Sequence, residues 1–175
     1  LQDIATLLDA PVMTTNTGKS AFPENHPLSL GAAGRSVTGH GFKFMQESDV
    51  IFGIGCSFSK TFYNPQIPAN KTIIHSTNDA FDINKDQQSH MGLVGDAKLT
   101  LQLLIEEIKS LTDGKGRTKT RKVKDEVLTA KTEWLSKWNN QLYSDEIPLN
   151  QYRIITDELN LLDGSAKSTS SITLA

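Results

Sequence analysis

The sequence has little cysteine, no long apolar run and no excess of charge of one sign. Cys56 is the single cysteine among 175 residues, which excludes an internal disulfide framework and is typical of a reducing compartment such as the cytoplasm. No apolar run approaches the roughly 18 residues that a membrane span requires. The formal net charge of -2 gives no general attraction to nucleic acid or to a membrane surface. Neither nucleic acid nor a membrane is therefore a predicted partner.

Strand-like and helix-like segments alternate through residues 1–111. The predicted strands are residues 11–15, 50–54, 71–76 and 91–94, which are short and mostly rich in apolar or β-branched side chains. Apolar residues at helical spacing predict helices over residues 1–8 and 97–111, and a short helix leads into Asp49. This alternation predicts an α/β fold in which helices cover the faces of a parallel sheet.

Two of these helices have a defined apolar side. Asp96 is the predicted N-cap of the helix at 97–111. The predicted buried stripe of that helix is Leu101, Leu104, Ile105, Ile108 and Leu111, and the apolar side of the short helix is Phe42, Phe44 and Met45. These side chains are expected to face the sheet.

The run at residues 50–54 is apolar and is closed by Gly55, which predicts a central strand buried on both faces. Ligands of open parallel sheets lie beyond the carboxyl ends of such strands, so residues 55–58 are the predicted site. The spelling Gly53-Ile-Gly55-Cys-Ser-Phe58 has two of the three glycines of a dinucleotide fingerprint. Cys56 is interpreted as a small buried residue of this turn rather than as an activated thiol.

A tract dense in glycine begins at Gly31 and Gly34 and continues to Gly39 and Gly41, after an aperiodic loop at residues 16–30. Such glycines permit backbone amides to approach a phosphate or a ribose at a helix N-terminus. They equally permit close packing of a helix on the sheet. The sequence leaves both interpretations open.

Asp79, Asp82 and Asp86 follow the strand at 71–76. A carboxylate just past a strand accepts hydrogen bonds from ribose hydroxyls in dinucleotide-binding folds. The same spacing superficially resembles a calcium loop, but the glycine and terminal glutamate of an EF-hand loop are missing. None of the four histidines has the spacing of a metal site.

The character of the chain changes after residue 113. A basic run (Arg117, Lys119, Arg121, Lys122 and Lys124) leads into a long predicted helix with one narrow stripe, Val123, Val127, Ala130, Trp134, Trp138 and Leu142. The run is interpreted as a solvated linker, because no aromatic residue interleaves the charges. Another helix is predicted from Pro148 to Gly164, and a strand begins at Ile172. A chain that opens within a helix and ends within a strand predicts a piece of a longer protein.

Pro11-Val-Met-Thr-Thr15 is followed by the string Gly18-Lys-Ser-Ala-Phe-Pro-Glu-Asn-His-Pro-Leu28. These motifs resemble the start of the middle domain of thiamine diphosphate-dependent enzymes of the acetolactate synthase type, and the string from Gly18 to Leu28 is the specific part. Further matches are Gly31, Ser48-Asp49-Val50, Ile74 to Asp86, Val94-Gly95-Asp96-Ala97-Lys98 and Pro148-Leu-Asn-Gln-Tyr-Arg153. The resemblance covers nearly the whole chain.

The resemblance implies a Rossmann-like parallel sheet with flanking helices, whose first strand is missing, followed by a long helical linker. Residues 1–113 would be the incomplete middle domain, 114–147 the basic linker and long helix, and 148–175 the start of the C-terminal cofactor-binding domain. Thiamine diphosphate and Mg2+ are implied for a homo-oligomeric parent enzyme. Their sites would lie in the missing N- and C-terminal domains of the same chain.

Relatives of this type hold FAD, ADP or nothing in the middle domain. The flavin-binding turn Gly-Ala-Arg-Phe-Asp-Asp-Arg is replaced here by Gly55-Cys-Ser-Phe-Ser-Lys-Thr61, and both arginines and both aspartates are lost. At most weak binding of FAD or ADP is therefore predicted. The implied cofactor contacts are Gly31, Gly34, Gly55, Ser57, Phe58, Thr77, Asp79, Ile83, Gly95 and Asp96; no catalytic residue or metal ligand is assigned.

The leading hypothesis is a structural, nucleotide-binding-like middle domain of a thiamine diphosphate-dependent 2-keto acid carboligase or decarboxylase. Such a piece is not expected to catalyse a reaction alone. The alternative is a freestanding Rossmann-like module that binds a nucleotide or NAD. That alternative requires a first strand followed by a glycine-rich turn, and neither is found in the sequence before residue 11.

Overall fold

A computed structural model describes residues 1–34, 37–62, 64, 66–118 and 121–165, with the backbone alone for 162–165. The helices are α1 (Gln2–Leu8), α2 (Gly39–Glu47), α3 (Ala97–Leu111), α4 (Val123–Ser136), α5 (Asn139–Leu142) and α6 (Gln151–Ser165). The strands are β1 (Val12–Thr15), β2 (Ser29–Ala33), β3 (Val50–Ile54), β4 (Thr72–Thr77) and β5 (Met91–Val94). Lys119 of the basic run and the strand predicted from Ile172 lie outside the described residues.

The described strands form two parallel sheets. β1 pairs with β2, and β4 lies between β3 and β5 in a three-stranded sheet. Helices accompany the strands along the chain, with α1 before β1, α2 between β2 and β3, and α3 after β5, so the predicted α/β fold with a Rossmann-like parallel sheet is confirmed. The register pairs Ile54 with Ser76 and Thr77 with Val94, which brings the carboxyl ends of β3, β4 and β5 to one edge.

β2 is a strand that the sequence pattern did not predict. Its residues, Ser-Leu-Gly-Ala-Ala, include no β-branched side chain, so it lacks the usual composition of a strand. Leu30 nevertheless is buried, and the strand pairs with β1 over most of its length. The predicted loop at 16–30 therefore ends before Ser29, and Gly31 lies inside a strand rather than at a helix N-terminus.

The prediction that β3 is a central strand buried on both faces is wrong for the described residues. β3 has a strand partner on one side only, and Val50 is 51% exposed. β4 is the most buried strand of this sheet, since Ile73, His75 and Ser76 are each at most 1% exposed. Hydrogen bonding on both sides, rather than the apolar run, marks the centre of the sheet.

The main hydrophobic core lies beside the β1–β2 sheet and includes the first half of α4. Its buried members are Ala5, Phe22, Leu28, Leu30, Val123 and Val127. α4 also contacts α2. The helix that follows the basic run is therefore packed into the core. Arg121 of the basic run forms an ion pair with Glu126 in the first turn of α4.

Two details of the predicted helices are corrected. The long helix is interrupted, because α4 ends at Ser136 and a separate α5 begins at Asn139. The helix predicted from Pro148 begins at Gln151, where the Asn150 side chain accepts a hydrogen bond from the backbone N–H of Tyr152 at 3.0 Å, and it continues through residue 164. A helical period predicts which side chains share a face, but it does not predict where the facing layer ends.

That limit explains the exposed ends of the predicted stripes. Leu111 at the end of α3 is 75% exposed, although it belongs to the predicted buried stripe, and Phe42 on the apolar side of α2 is 47% exposed. The other four stripe residues of α3 are half-buried, and Met45 is buried. Their helices lie on a small sheet, so the layer beneath them does not extend to every apolar side chain.

His40, on the first turn of α2, is a buried polar residue at the contact with α4. Its Nε2 lies 3.2 Å from Thr38 Oγ1, and its ring packs edge-on against Trp134 of α4 with 5.5 Å between centroids. Burial lowers the pKa of His40, and the positive charge of Lys131 lowers it further. Burial also lowers the pKa of Lys131, and the nearby carboxylate of Glu24 opposes that shift. The neutral imidazole is therefore the form that fits this contact.

Val127→Ala is expected to lower the free energy of unfolding by about 2 kcal/mol, because the lost methyl groups leave a cavity in the core. Leu128→Ala is the matched control, since Leu128 is the next residue of α4 and is 65% exposed, against 1% for Val127. Urea unfolding of both variants measures the difference. Equal, small effects would mean that α4 is a solvated linker.

Acidification is expected to weaken the fold through His40. Because the pKa is lowered in the folded state, the unfolded chain takes up a proton first as the pH falls below the ordinary value of 6.5. The stability is fully present above that value and is lost as the pH falls through the folded-state pKa. Urea midpoints measured across this range should fall less steeply for His40→Phe than for the unmodified chain, and parallel curves would contradict the assignment.

Candidate functional site

The turns that follow β3, β4 and β5 form one continuous edge. The backbone N–H of Gly55 donates to the carbonyl oxygen of Ser76 at 2.9 Å, and the N–H of Gly95 donates to the carbonyl oxygen of Thr77 at 2.9 Å. Three of the predicted contact residues, Gly55, Thr77 and Gly95, are thus brought together. This is the carboxyl edge where open parallel sheets bind ligands.

The turn after β3 is shaped by two residues in the left-handed region. Gly55 has a φ of 64°, and a Cβ there would meet open space. Phe58 has a φ of 49°, which is unusual for a residue with a side chain. This conformation folds the Phe58 ring back over β3, where a Cβ on Gly53 would overlap it.

The same ring covers His75 of β4. The two rings pack edge to face with 4.8 Å between their centroids, and His75 is fully buried. The Nε2–H of His75 donates to the carbonyl oxygen of Cys56 at 2.7 Å, so this nitrogen carries the proton. Among the described residues, Nδ1 of His75 has no hydrogen-bond partner.

Cys56 occupies the middle of this turn and is half-buried. Burial raises the pKa of its thiol, and the backbone N–H of Phe58 opposes that shift only in part. A thiol with a raised pKa stays protonated near neutral pH and is a poor nucleophile. The geometry therefore gives no support to an activated cysteine.

Most polar groups predicted to contact a ribose or a diphosphate already make local hydrogen bonds. The hydroxyl groups of Ser57 and Ser59 form a hydrogen bond of 2.7 Å. Thr77 Oγ1 accepts from the backbone N–H of Asp79 at 3.2 Å, and Asp79 Oδ1 accepts from that of Phe81 at 2.9 Å. These bonds shape the turns, and they leave few of the predicted groups free for a ligand.

The remaining residues of this edge also have structural roles. Asp96 Oδ1 caps α3 by accepting from the N–H of Leu99 at 3.0 Å, as predicted from the sequence. Ile83 packs against Gly92 of β5. Lys60 carries the single positive charge of residues 55–61, and its backbone N–H donates to Asp86 Oδ2 at 3.2 Å.

Gly31 lies in β2 and Gly34 directly follows it, so both belong to the β1–β2 half of the chain rather than to this edge. Gly31 has a φ of 80° within β2. Gly34 follows β2, and a Cβ there would overlap the side chain of Asn16 in the loop after β1. The ten predicted contacts thus divide into eight on the β3–β5 edge and two on the β1–β2 edge.

Sequence reasoning missed the two residues that organise the turn, Gly53 and His75. A histidine within the otherwise β-branched run Thr-Ile-Ile-His-Ser-Thr is the signal that could have identified a buried polar group. Gly53 belongs to the partial fingerprint in the sequence, but in the structure its lack of a side chain makes room for the Phe58 ring.

Two further findings concern the described residues as a whole. They include no group of three His, Cys, Asp or Glu side chains placed to hold a metal ion, so a Mg2+-diphosphate site does not fit this part of the chain. No helix within them is long and apolar enough to cross a membrane.

Comparison with known proteins gives consistent similarities. The family model described as "Thiamine pyrophosphate enzyme, central domain" matches residues 1–104. Probable acetolactate synthase large subunits are 30% identical over 172 residues in Methanococcus aeolicus, covering 93% of this chain, and 30% identical over 182 residues in Methanocaldococcus jannaschii, covering 95%. The chain spans 28% of the length of each. The acetolactate synthase large subunit of Buchnera aphidicola subsp. Schizaphis graminum is 37% identical over 62% of the chain and 19% of its own length.

Gly53→Ala is expected to lower the free energy of unfolding by about 1–3 kcal/mol, because the added methyl group overlaps the Phe58 ring. The effect should be much smaller in the Phe58→Ala background, where the ring is gone. A double-mutant cycle by urea unfolding measures this coupling. Strictly additive effects would show that the ring does not depend on Gly53.

Proposed function

This chain belongs to the family of thiamine pyrophosphate enzyme central domains, and we propose that it serves as the structural middle domain of a longer thiamine diphosphate-dependent enzyme acting on 2-keto acids. The observation that carries this proposal is the family match over residues 1–104, together with relatives of which the chain spans 28%. The carboxyl-edge turns support a structural role, because their polar side chains mainly hydrogen-bond to one another and to the turns.

Thiamine diphosphate, when bound, supplies the electron sink that decarboxylation of a 2-keto acid requires. In this proposal the cofactor and Mg2+ are held by the N- and C-terminal domains of a homo-oligomeric parent. Residues 1–165 contribute no proton donor or acceptor to the reaction. Their role is to hold the flanking domains at a fixed spacing.

The described sheets support an arrangement in which the rest of the polypeptide completes the domain. β1 and β3 each have one strand partner among the described residues, and the apolar β3 has Val50 51% exposed at its start. An unpaired apolar edge is unfavourable in isolation. A parallel strand supplied by the longer chain would cover such an edge.

The packing of α4 supports the spacing role at the other end of the domain. Val123 and Val127 anchor α4 in the core of the β1–β2 half. The path from the sheet toward α6 is therefore a packed helix, which transmits position better than a flexible linker.

The alternative of a freestanding NAD-binding module has no specific observation in its favour. The third glycine position of the fingerprint holds Phe58, and its ring lies over Gly53 where a dinucleotide backbone would need to approach. The proposal for FAD and ADP follows from the same turn, which lacks both arginines of flavin-binding relatives. Binding of either nucleotide is weak at most.

The function is tested with the full-length polypeptide that contains these residues. It should release CO2 from a 2-keto acid such as pyruvate only when thiamine diphosphate and Mg2+ are present, and the 175-residue chain alone should be inactive. Catalysis by the 175-residue chain would contradict the proposal. A natural reading frame that stops at both Leu1 and Ala175 would also contradict it.

Nucleotide binding is tested by calorimetry of the same full-length protein with FAD and with ADP. Little or no heat is expected for the natural turn. The combined change Ser57→Arg, Ser59→Asp, Lys60→Asp and Thr61→Arg restores the side chains of flavin-binding relatives and should raise the affinity for FAD. A stoichiometric flavin that copurifies with the unaltered protein would refute weak binding.

A further inference from the structure

Four rings from three separate helical segments form a continuous line of contacts, which we call the aromatic seam. His40 on α2 contacts Trp134 on α4 at 5.5 Å between centroids, and Trp134 contacts Trp138 at 5.9 Å. Trp138 lies between α4 and α5 and contacts Tyr152, near the start of α6, at 5.6 Å. The interplanar angles of 70°, 55° and 41° are those of edge-on and tilted pairs, which aromatic rings prefer to face-to-face stacking.

The seam is fitted closely into α2 at one end. A Cβ on Gly39 would overlap the indole ring of Trp134, so the absence of a side chain at this position lets the ring reach the first turn of the helix. His40 is 6% exposed. Thr38, the N-cap of α2, donates its hydroxyl to the carbonyl oxygen of Leu30 in β2 at 3.3 Å. The seam is thereby connected to the β1–β2 sheet.

At the other end, α6 contacts α5 and is joined to the segment before it by the ring of Tyr152 and by the side chain of Arg153. Arg153 donates to Asp145 at 2.8 Å and to Asp157 at 2.9 Å, but the side chain of Asp145 is 93% exposed. Exposed ion pairs contribute little to stability because water and salt screen them. Arg153 also donates to the carbonyl oxygen of Ser144 at 3.2 Å. Among the described residues, the Trp138–Tyr152 pair is the ring contact that reaches the N-terminal turn of α6.

We propose that the aromatic seam is a conformational coupler that holds α6 in a fixed position relative to α2 and releases α6 as one unit when a ring contact is broken. Among the described side chains of α6, Ile154 is 44% exposed and Leu161 is 73% exposed, while Ile155 and Leu159 are half-buried, so this helix buries only part of its apolar surface. Its docked position depends on the line of rings, and the first ring of that line depends on α2. A displacement at either end changes the equilibrium at the other.

Hydrogen exchange of the full-length polypeptide that contains these residues tests the release of α6. Tyr152→Ala should speed amide exchange in α6 roughly tenfold, as expected when one buried aromatic contact is lost. Exchange in β1, β2 and α3 should not change. Tyr152→Phe keeps the ring and should behave as the unaltered chain. Tyr143→Ala is the matched control, since Tyr143 is 64% exposed in the same segment and belongs to no ring pair of the seam. Unchanged exchange in α6, or a uniform increase over the chain, would overturn the proposal.

The coupling is tested from the opposite end of the seam. Gly39→Ala displaces Trp134 and should also speed exchange in α6, although Trp134 lies two ring contacts away from Tyr152. If that variant does not fold, Trp134→Phe shortens the ring and serves the same purpose. Combining the change at α2 with Tyr152→Ala should give less than the product of the two single effects. Faster exchange confined to α2 and α4, or fully multiplicative effects, would show that the ends are independent.

Discussion

Hydrogen bonding of β4 on both sides is the constraint on which the carboxyl-edge turns depend. Its register with β3 and β5 aligns the three strand ends, and the carbonyl oxygens of Ser76 and Thr77 then accept from Gly55 and Gly95. The central position also buries His75, whose Nε2–H must find an acceptor and does so in the turn after β3. The shape of the site therefore follows from satisfying the polar groups of one strand.

The main hydrophobic core holds the other half of the chain together. Phe22, Leu28 and Leu30 pack with Val123 and Val127, which joins residues far apart in sequence around the β1–β2 sheet. The helix that follows the basic run is consequently part of the domain that precedes it. The family model of the thiamine pyrophosphate enzyme central domain matches residues 1–104. α4 lies after that segment in the sequence but packs into the same core.

The sequence predicts the parts of this fold that depend on local chemistry. β5 and α3 have the predicted bounds, and Asp96 caps α3, because a β-branched or apolar run and an N-cap are local signals. β2 was missed because its alanines and glycine become a strand only through pairing with β1. The exposure of Leu111 and of Val50 depends on how far the neighbouring layers extend, which no single segment encodes. At the site, the resemblance selected residues near the turns, but the hydrogen bonds that occupy Ser57, Thr77 and Asp79 are visible only in three dimensions.

The side chain of Phe58 is what distinguishes this turn from one with glycine at all three fingerprint positions. Its backbone already has a φ of 49°, a conformation that glycine adopts without the steric cost paid by an L-residue with a side chain. Replacing Phe58 by glycine would relieve that cost and uncover Gly53 and His75 at the same time. An open turn and a closed turn at the carboxyl edge of β3 therefore differ by one residue, whose ring covers both of these positions in this chain.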